Sequence, residues 1–355
     1  MEKSKYFFEL DLVKIVAIVW ICLYHILDFR SNWVLGSMAG SGQVFGYFGE
    51  TNGFVTSLSK SLLSLGTLGV NLFIIASGFG LTISRNHDKT NFFTFIKKRL
   101  FRIFPLYWGI LLAILAIDLI MHHQVNYEDF IAHFFAIHNF FPQYVLSISA
   151  PFWFIGTILQ LYVLFPFLYY LSKKKVILLV ALALILKLFI DPQLVRLFGG
   201  GRFFTEYIID FSIGIILGNL LLANQELFRS KKWLTLILPT AGLVVALLFC
   251  NLYKNSYLIL PLIYQLLSLL LFIFLFSSAY FLNNKIIFII KRLSVLTFTV
   301  FLTHYILITK IISKISFSVP FWLESIAFVI VSFLVAFLIN SLIKFPKSFK
   351  NRSLS

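Results

Sequence analysis

The chain has 355 residues, of which 60% are hydrophobic and only 12% charged. That much apolar surface exceeds what a water-soluble core can bury, which excludes an ordinary soluble domain. The net charge of +16 does not point to nucleic acid in so apolar a sequence. It is the expected mark of Lys and Arg gathered in the loops of one membrane face, against anionic lipid.

The first apolar segment, about 8–28, opens with Glu9-Leu10-Asp11-Leu12-Val13-Lys14 and runs through His25 to Asp28. Acidic flanks and the lack of a small-residue cleavage site mark it as a retained span rather than a signal peptide. Lys14 and His25 are eleven residues apart, about three helical turns with roughly 20° left over, so they share one face. They sit roughly 16 Å apart along the axis, about half of a bilayer core. Ionisable groups at that depth are costly and read first as function. Imidazole is the usual general base for a hydroxyl, and Asp28, one turn on, is placed to orient the ring. The competing readings are a histidine bonded between helices and a lysine that snorkels to headgroups.

Nine further apolar stretches follow, at about 62–84, 101–121, 152–171, 175–191, 204–223, 233–252, 257–282, 287–309 and 320–344. Ten spans predict an all-α polytopic membrane protein with a single domain over residues 1–355. Twenty-one Lys and Arg fall on one side of that topology and seven on the other, with Lys14 and Lys187 inside spans. The bias places both termini in the cytoplasm, Lys14 near the cytoplasmic side and His25 near the outer side. The connections 29–61 and 122–151 are long enough for short helices or re-entrant pieces. The second contains no Lys or Arg but holds His122, His123, His133 and His138 among aromatic residues. That composition suits either a sugar or headgroup contact or an interfacial aromatic belt. Cys22 and Cys250 lie in apolar spans and read as packing residues, and no metal site is expected.

Other stretches carry chemistry. Gly69 to Phe79 combines small residues with Ser77, a pattern for close helix packing in lipid. Arg99 and Arg102 lie one turn apart where the third span begins, as phosphate-binding donors or as ordinary topology charge. Trp153 leads a segment with Gln160, Tyr162 and Pro166. Arg202, Glu206 and Asp210 recur every four residues at the outer mouth of the sixth span, as an ion-paired strut or an acceptor site. Gly214 and Gly218 form a packing signal, and His304 is a second histidine at membrane depth.

Taken in order, these pieces resemble the integral-membrane acyltransferase family 3, the O-acyltransferases of bacterial cell-surface polysaccharides. Leu10-Asp11 with His25 is similar to the family's opening motif, Lys14 standing where the family has arginine. Residues 69–79 resemble its Gly-Val…Ser-Gly-Phe element, and Arg99 to Tyr107 its basic Pro-Tyr element. Trp153 to Pro166 resembles the Trp-led segment, with Ile158 where many members carry glutamate. Phe301 to His304 resembles the late histidine motif. The resemblance covers essentially the whole chain and implies an enzyme of the cell membrane, bacterial in type. It implies acyl-CoA, usually acetyl-CoA, as donor substrate, no bound cofactor, and a carbohydrate or glycolipid acceptor in place of nucleic acid. Catalysis then falls to His25, as base or acyl relay, with Lys14 and Asp28. Arg99, Arg102, Lys14 and Ser77 would face the donor. His304, Gln160, Trp153, Arg202 and Glu206 would face or support the acceptor. A transporter or flippase for a lipid-linked sugar is the alternative of a different class, weakened by the absence of paired halves in the sequence.

Overall fold

The structure is a computed structural model describing residues 7–30, 66, 68–87, 90–122, 125–198, 202–224, 234–252, 259–314 and 321–343. The expected pieces within 29–61 lie outside these residues from position 31 onward. Among the described residues the secondary structure is helical, without strands. This is the all-α polytopic architecture that the apolar runs require, because in lipid a helix satisfies its own backbone.

In chain order the helices are α1 (Glu9–Arg30), α2 (Leu68–His87), α3 (Phe92–His122), the short α4 (Tyr127–Phe134), α5 (Trp153–Lys174), α6 (Val176–Ile185) and α7 (Asp191–Leu197). Then follow α8 (Phe204–Ala223), α9 (Leu234–Leu252), α10 (Ile259–Ser278), α11 (Asn284–Ser294), α12 (Thr297–Lys310) and α13 (Phe321–Leu342). Each of the ten expected spans has its helix. Eight are long and apolar enough to cross a membrane by themselves, the fifth being α6 and α7 joined through a π-helical turn at Leu186–Ile190. The ninth expected span is a bent pair, α11 and α12, meeting at 61°. The seventh, α9, has a shorter apolar stretch at Leu236–Ala246. The 31 residues of α3 rise about 46 Å, more than the roughly 30 Å hydrocarbon core. Its basic first turns therefore extend past the apolar zone.

The chain divides into two compact units. One comprises Met1–Ala76, Leu220–Val300 and Leu307–Ser355. In it α1 packs against α10, α11 and α13. Leu68, Ala246, Leu260, Ile263 and Leu267 form a buried cluster with Trp20, Leu243, Tyr264 and Leu270 around it. Gly69 lets α2 approach α1 closely: a Cβ there would stand 2.6 Å from the Ala17 carbonyl oxygen.

The other unit comprises Ser77–Asn219 and Phe301–Ile306. Here the Ser77-Gly78-Phe79 element is tight packing. A Cβ on Gly78 would lie 2.4 Å from the Phe211 carbonyl oxygen of α8, and one on Gly218 would lie 2.9 Å from Thr82 Cβ. Backbone oxygen cannot swing aside, so Gly78→Ala is expected to force the helices apart at a cost of about 1–3 kcal/mol. Thermal unfolding in detergent tests this, and an unchanged midpoint would contradict the packing account.

Candidate functional site

The residues singled out for chemistry lie at four places, one along α1 and three in the second unit. On α1, unbroken from Glu9 to Arg30, the ammonium of Lys14 is 3.4 Å from Asp11 Oδ1, with the lysine side chain 31% exposed and the aspartate nearly buried. Ser294 of α11 also hydrogen-bonds Asp11, and Lys291 adds its charge nearby. Lys14 is thus anchored at its own turn, with surface left for a further contact. His25 is half-buried and set edge-on to the Tyr24 ring at 5.1 Å. Asp28 is buried at 4% exposure. The continuous helix keeps Lys14 and His25 on one face, about three turns apart.

The second place is the basic start of α3. Arg99 and Arg102 are one turn apart but differ in setting. The Arg99 guanidinium lies over the Phe95 ring at 5.2 Å, and Phe95 stacks on Phe165 of α5 at 5.4 Å. Arg102 is exposed. One arginine is held as a fixed cation against an aromatic pair, and the other stands in the open with Lys97 and Lys98. Ser77, on α2, is half-buried.

The third place gathers Trp153, Gln160, Arg202 and Glu206, which the sequence separates by as much as 53 positions. Arg202 Nη1 donates to Glu206 Oε1 at 3.0 Å, and its guanidinium lies 5.5 Å from the Trp153 ring centre. Trp153 in turn stacks on Tyr207 at 5.4 Å and 17°. Gln160 Oε1 accepts from the Phe204 amide, which ties α5 to the start of α8. From Trp153 a chain of rings runs through Phe154 and Phe301 to the fully buried His304.

Sequence reading missed the residue that holds this cluster together. Asn139 is fully buried, and its Nδ2 donates to the Trp153 carbonyl at 3.0 Å and to Thr157 Oγ1 at 3.1 Å. It also reaches the Arg202 carbonyl, which Thr157 Oγ1 contacts as a donor at 2.7 Å. Gly156 makes room for it: a Cβ there would stand 2.2 Å from Asn139 Oδ1. A lone asparagine in a loop gives no periodic signal, so only the fold reveals it. Lys187 and Asp191, 3.3 Å apart across the π-turn, with Thr205 donating to Asp191 at 2.6 Å, were likewise not singled out as a site.

The fourth place is the stretch from Asn126 to Phe152. Asn126 caps α4 by accepting from the Asp129 amide. His133 Nδ1 sits 2.9 Å from Asp129 Oδ1, Ser147 donates to the same oxygen at 2.7 Å, and Tyr107 donates to the His133 carbonyl. The His133 and His138 rings stack at 4.0 Å, and both are fully buried. These two histidines are interior to a folded cap, while Tyr127, Phe135, Phe140 and Phe141 around them are exposed. Burial, and then the neighbouring His133, push His138 down to about 3 against the pull of the Phe152 and Ala132 carbonyls.

A histidine held neutral in the folded cap takes up a proton on opening. Its contribution is intact above the ordinary value of 6.5 and is lost as pH falls from 6.5 toward about 3. Cap opening is therefore expected to become up to about tenfold easier per pH unit in that window. Hydrogen exchange of residues 150–155, corrected for intrinsic rates, tests it. A flat profile in the wild type, or an equal slope in His138→Phe, would contradict this.

A family model described as an acyltransferase domain matches residues 7–341. No curated protein and no solved structure matches the chain.

Proposed function

We propose, for a chain that belongs to the acyltransferase family matched over residues 7–341, the transfer of an acyl group from cytoplasmic acyl-CoA to a hydroxyl of a carbohydrate in the cell envelope of a bacterium. Acetyl is the expected group, and the donor is a substrate, with no bound cofactor required. The observation that carries this reading is the unbroken α1, which presents a cation and an imidazole on one face within that family's domain.

In the proposed reaction His25 takes the proton of the acceptor hydroxyl as the oxygen attacks the thioester carbonyl. The new C–O bond forms, the C–S bond breaks, and the proton passes to the departing thiolate. If His25 instead carries the acyl group, the same bonds exchange in two steps through an acyl-imidazole. Asp28, one turn on, is the candidate to orient the ring. Arg99, Arg102 and Lys14 are cations suited to the donor's phosphates, and Ser77 is a further polar contact on the donor side.

Arg202 and Glu206 offer a donor–acceptor pair suited to sugar hydroxyls. Trp153 is already engaged by Tyr207 and Arg202, which gives it a supporting role. Gln160 and His304 support from behind. The test is release of free CoA by the purified protein with acetyl-CoA and a mixture of envelope glycans. Glycan-dependent release supports the reading, and transport of a lipid-linked sugar without donor consumption would overturn it.

A further inference from the structure

Helix α11 has a surface that acyl transfer does not use. It is eleven residues long, begins at the Asn283 cap and turns 61° away from α12. Its sequence contains Lys285, Lys291 and Arg292 and no acidic residue. At 100° per residue, Ile289, Leu293, Ile286, Ile290 and Ile287 occupy one arc of roughly 160°. Within that arc Ile290 is buried against the protein, while Ile286 and Ile289 are 42% and 54% exposed.

Lys285 and Arg292 lie within about 20° of each other, on the flank next to Ile289. Arg292 also covers the exposed Phe288 ring at 4.9 Å. Lys291 falls on the opposite flank, over the Phe8 ring beside α1. An exposed apolar arc bordered by cations fits the boundary between acyl chains and headgroups. The sharp bend directs the helix away from the path of the span that follows.

We propose that α11 is an in-plane helix that binds anionic phospholipid headgroups through Lys285 and Arg292, with Ile286 and Ile289 set among the acyl chains. The charge complementarity is one-sided, because nothing acidic on the helix competes for these two cations. Lys291 and Ser294 couple the helix to Phe8, just before α1, and to Asp11 within it, so lipid bound here steadies the turn that holds Lys14. The inference stands apart from the acyl-transfer reading, since it concerns lipid and not the donor or acceptor.

The test uses the full-length protein, purified from mixed micelles of phosphatidylcholine and phosphatidylglycerol, with the retained lipids quantified. Phosphatidylglycerol enrichment is expected to fall about twofold or more in Lys285→Gln/Arg292→Gln, each surface cation carrying roughly a fivefold local preference. The pair Lys285→Arg/Arg292→Lys is expected to keep it. Equal enrichment in the folded Gln pair would overturn the proposal, as would a change in oligomeric state with no change in lipid. Displacement by inorganic phosphate at constant ionic strength would point to a free-phosphate site instead and also overturn it. Should the Gln pair fail to fold, the wild type decides: enrichment that high salt leaves unchanged contradicts a headgroup contact.

Discussion

Replacing His25 by alanine is expected to lower acyl transfer from acetyl-CoA about 10²–10⁴-fold, the range for removing a general base. The fold is expected to survive, because His25 is only half-buried and α1 is held by its buried neighbours Ala17, Ile18, Ile21 and Cys22. Donor binding is expected to stay within about twofold, because Lys14, the cation assigned to it on the same helix, is about three turns away. Labelling with the acyl donor separates the two routes. A relay leaves labelled acyl on the wild-type protein when the acceptor is withheld, whereas a base leaves none. Full transfer by a folded His25→Ala protein would remove His25 from the chemistry.

Gly156→Ala is expected to destabilise the second unit at least as much as Gly78→Ala. Its Cβ would meet Asn139 Oδ1 at 2.2 Å, Asn139 Cγ at 2.7 Å and the Ala136 carbonyl at 3.1 Å. Asn139 is not free to yield, because its Nδ2 is committed to Trp153, Thr157 and Arg202. The expected cost is about 1–3 kcal/mol from overpacking, and more if those hydrogen bonds break. Asn139→Ala alone is expected to destabilise as well, by roughly 1–3 kcal/mol for buried acceptors left unmet. Made together, the two changes are expected to cost less than their sum, because the second removes the obstacle to the first. Thermal unfolding of the four proteins measures this, and simple additivity would contradict a direct contact.

The ten apolar runs and the face shared by Lys14 and His25 were legible because hydropathy and a period of 3.6 are local properties. The Arg202–Glu206 pair was legible for the same reason, being four residues apart. The Lys14–Asp11 pair is equally local, yet the sequence reading weighed Lys14 only as a site cation or a snorkelling lysine. Asn139 was hidden because its partners lie up to 63 residues away, and no spacing rule links a loop asparagine to two backbone carbonyls. The stacked His133 and His138 were visible as histidines but not as interior ones, since a loop's burial depends on the helices it covers. Gly78 was read correctly as small and close-packed, but its partner, the Phe211 carbonyl, depends on tertiary structure. The bend between α11 and α12 sits inside one apolar run, where hydropathy alone sees a single span.

In the proposed function, acyl groups from a coenzyme A thioester end on an envelope carbohydrate by way of His25. Mass spectrometry of envelope glycans tests it most directly, comparing cells that carry the wild-type protein, the His25→Ala variant or neither. The expected result is an added acyl mass on one glycan in the wild type alone. Glycans of identical mass in all three, with the wild-type protein present and folded in the membrane, would contradict it.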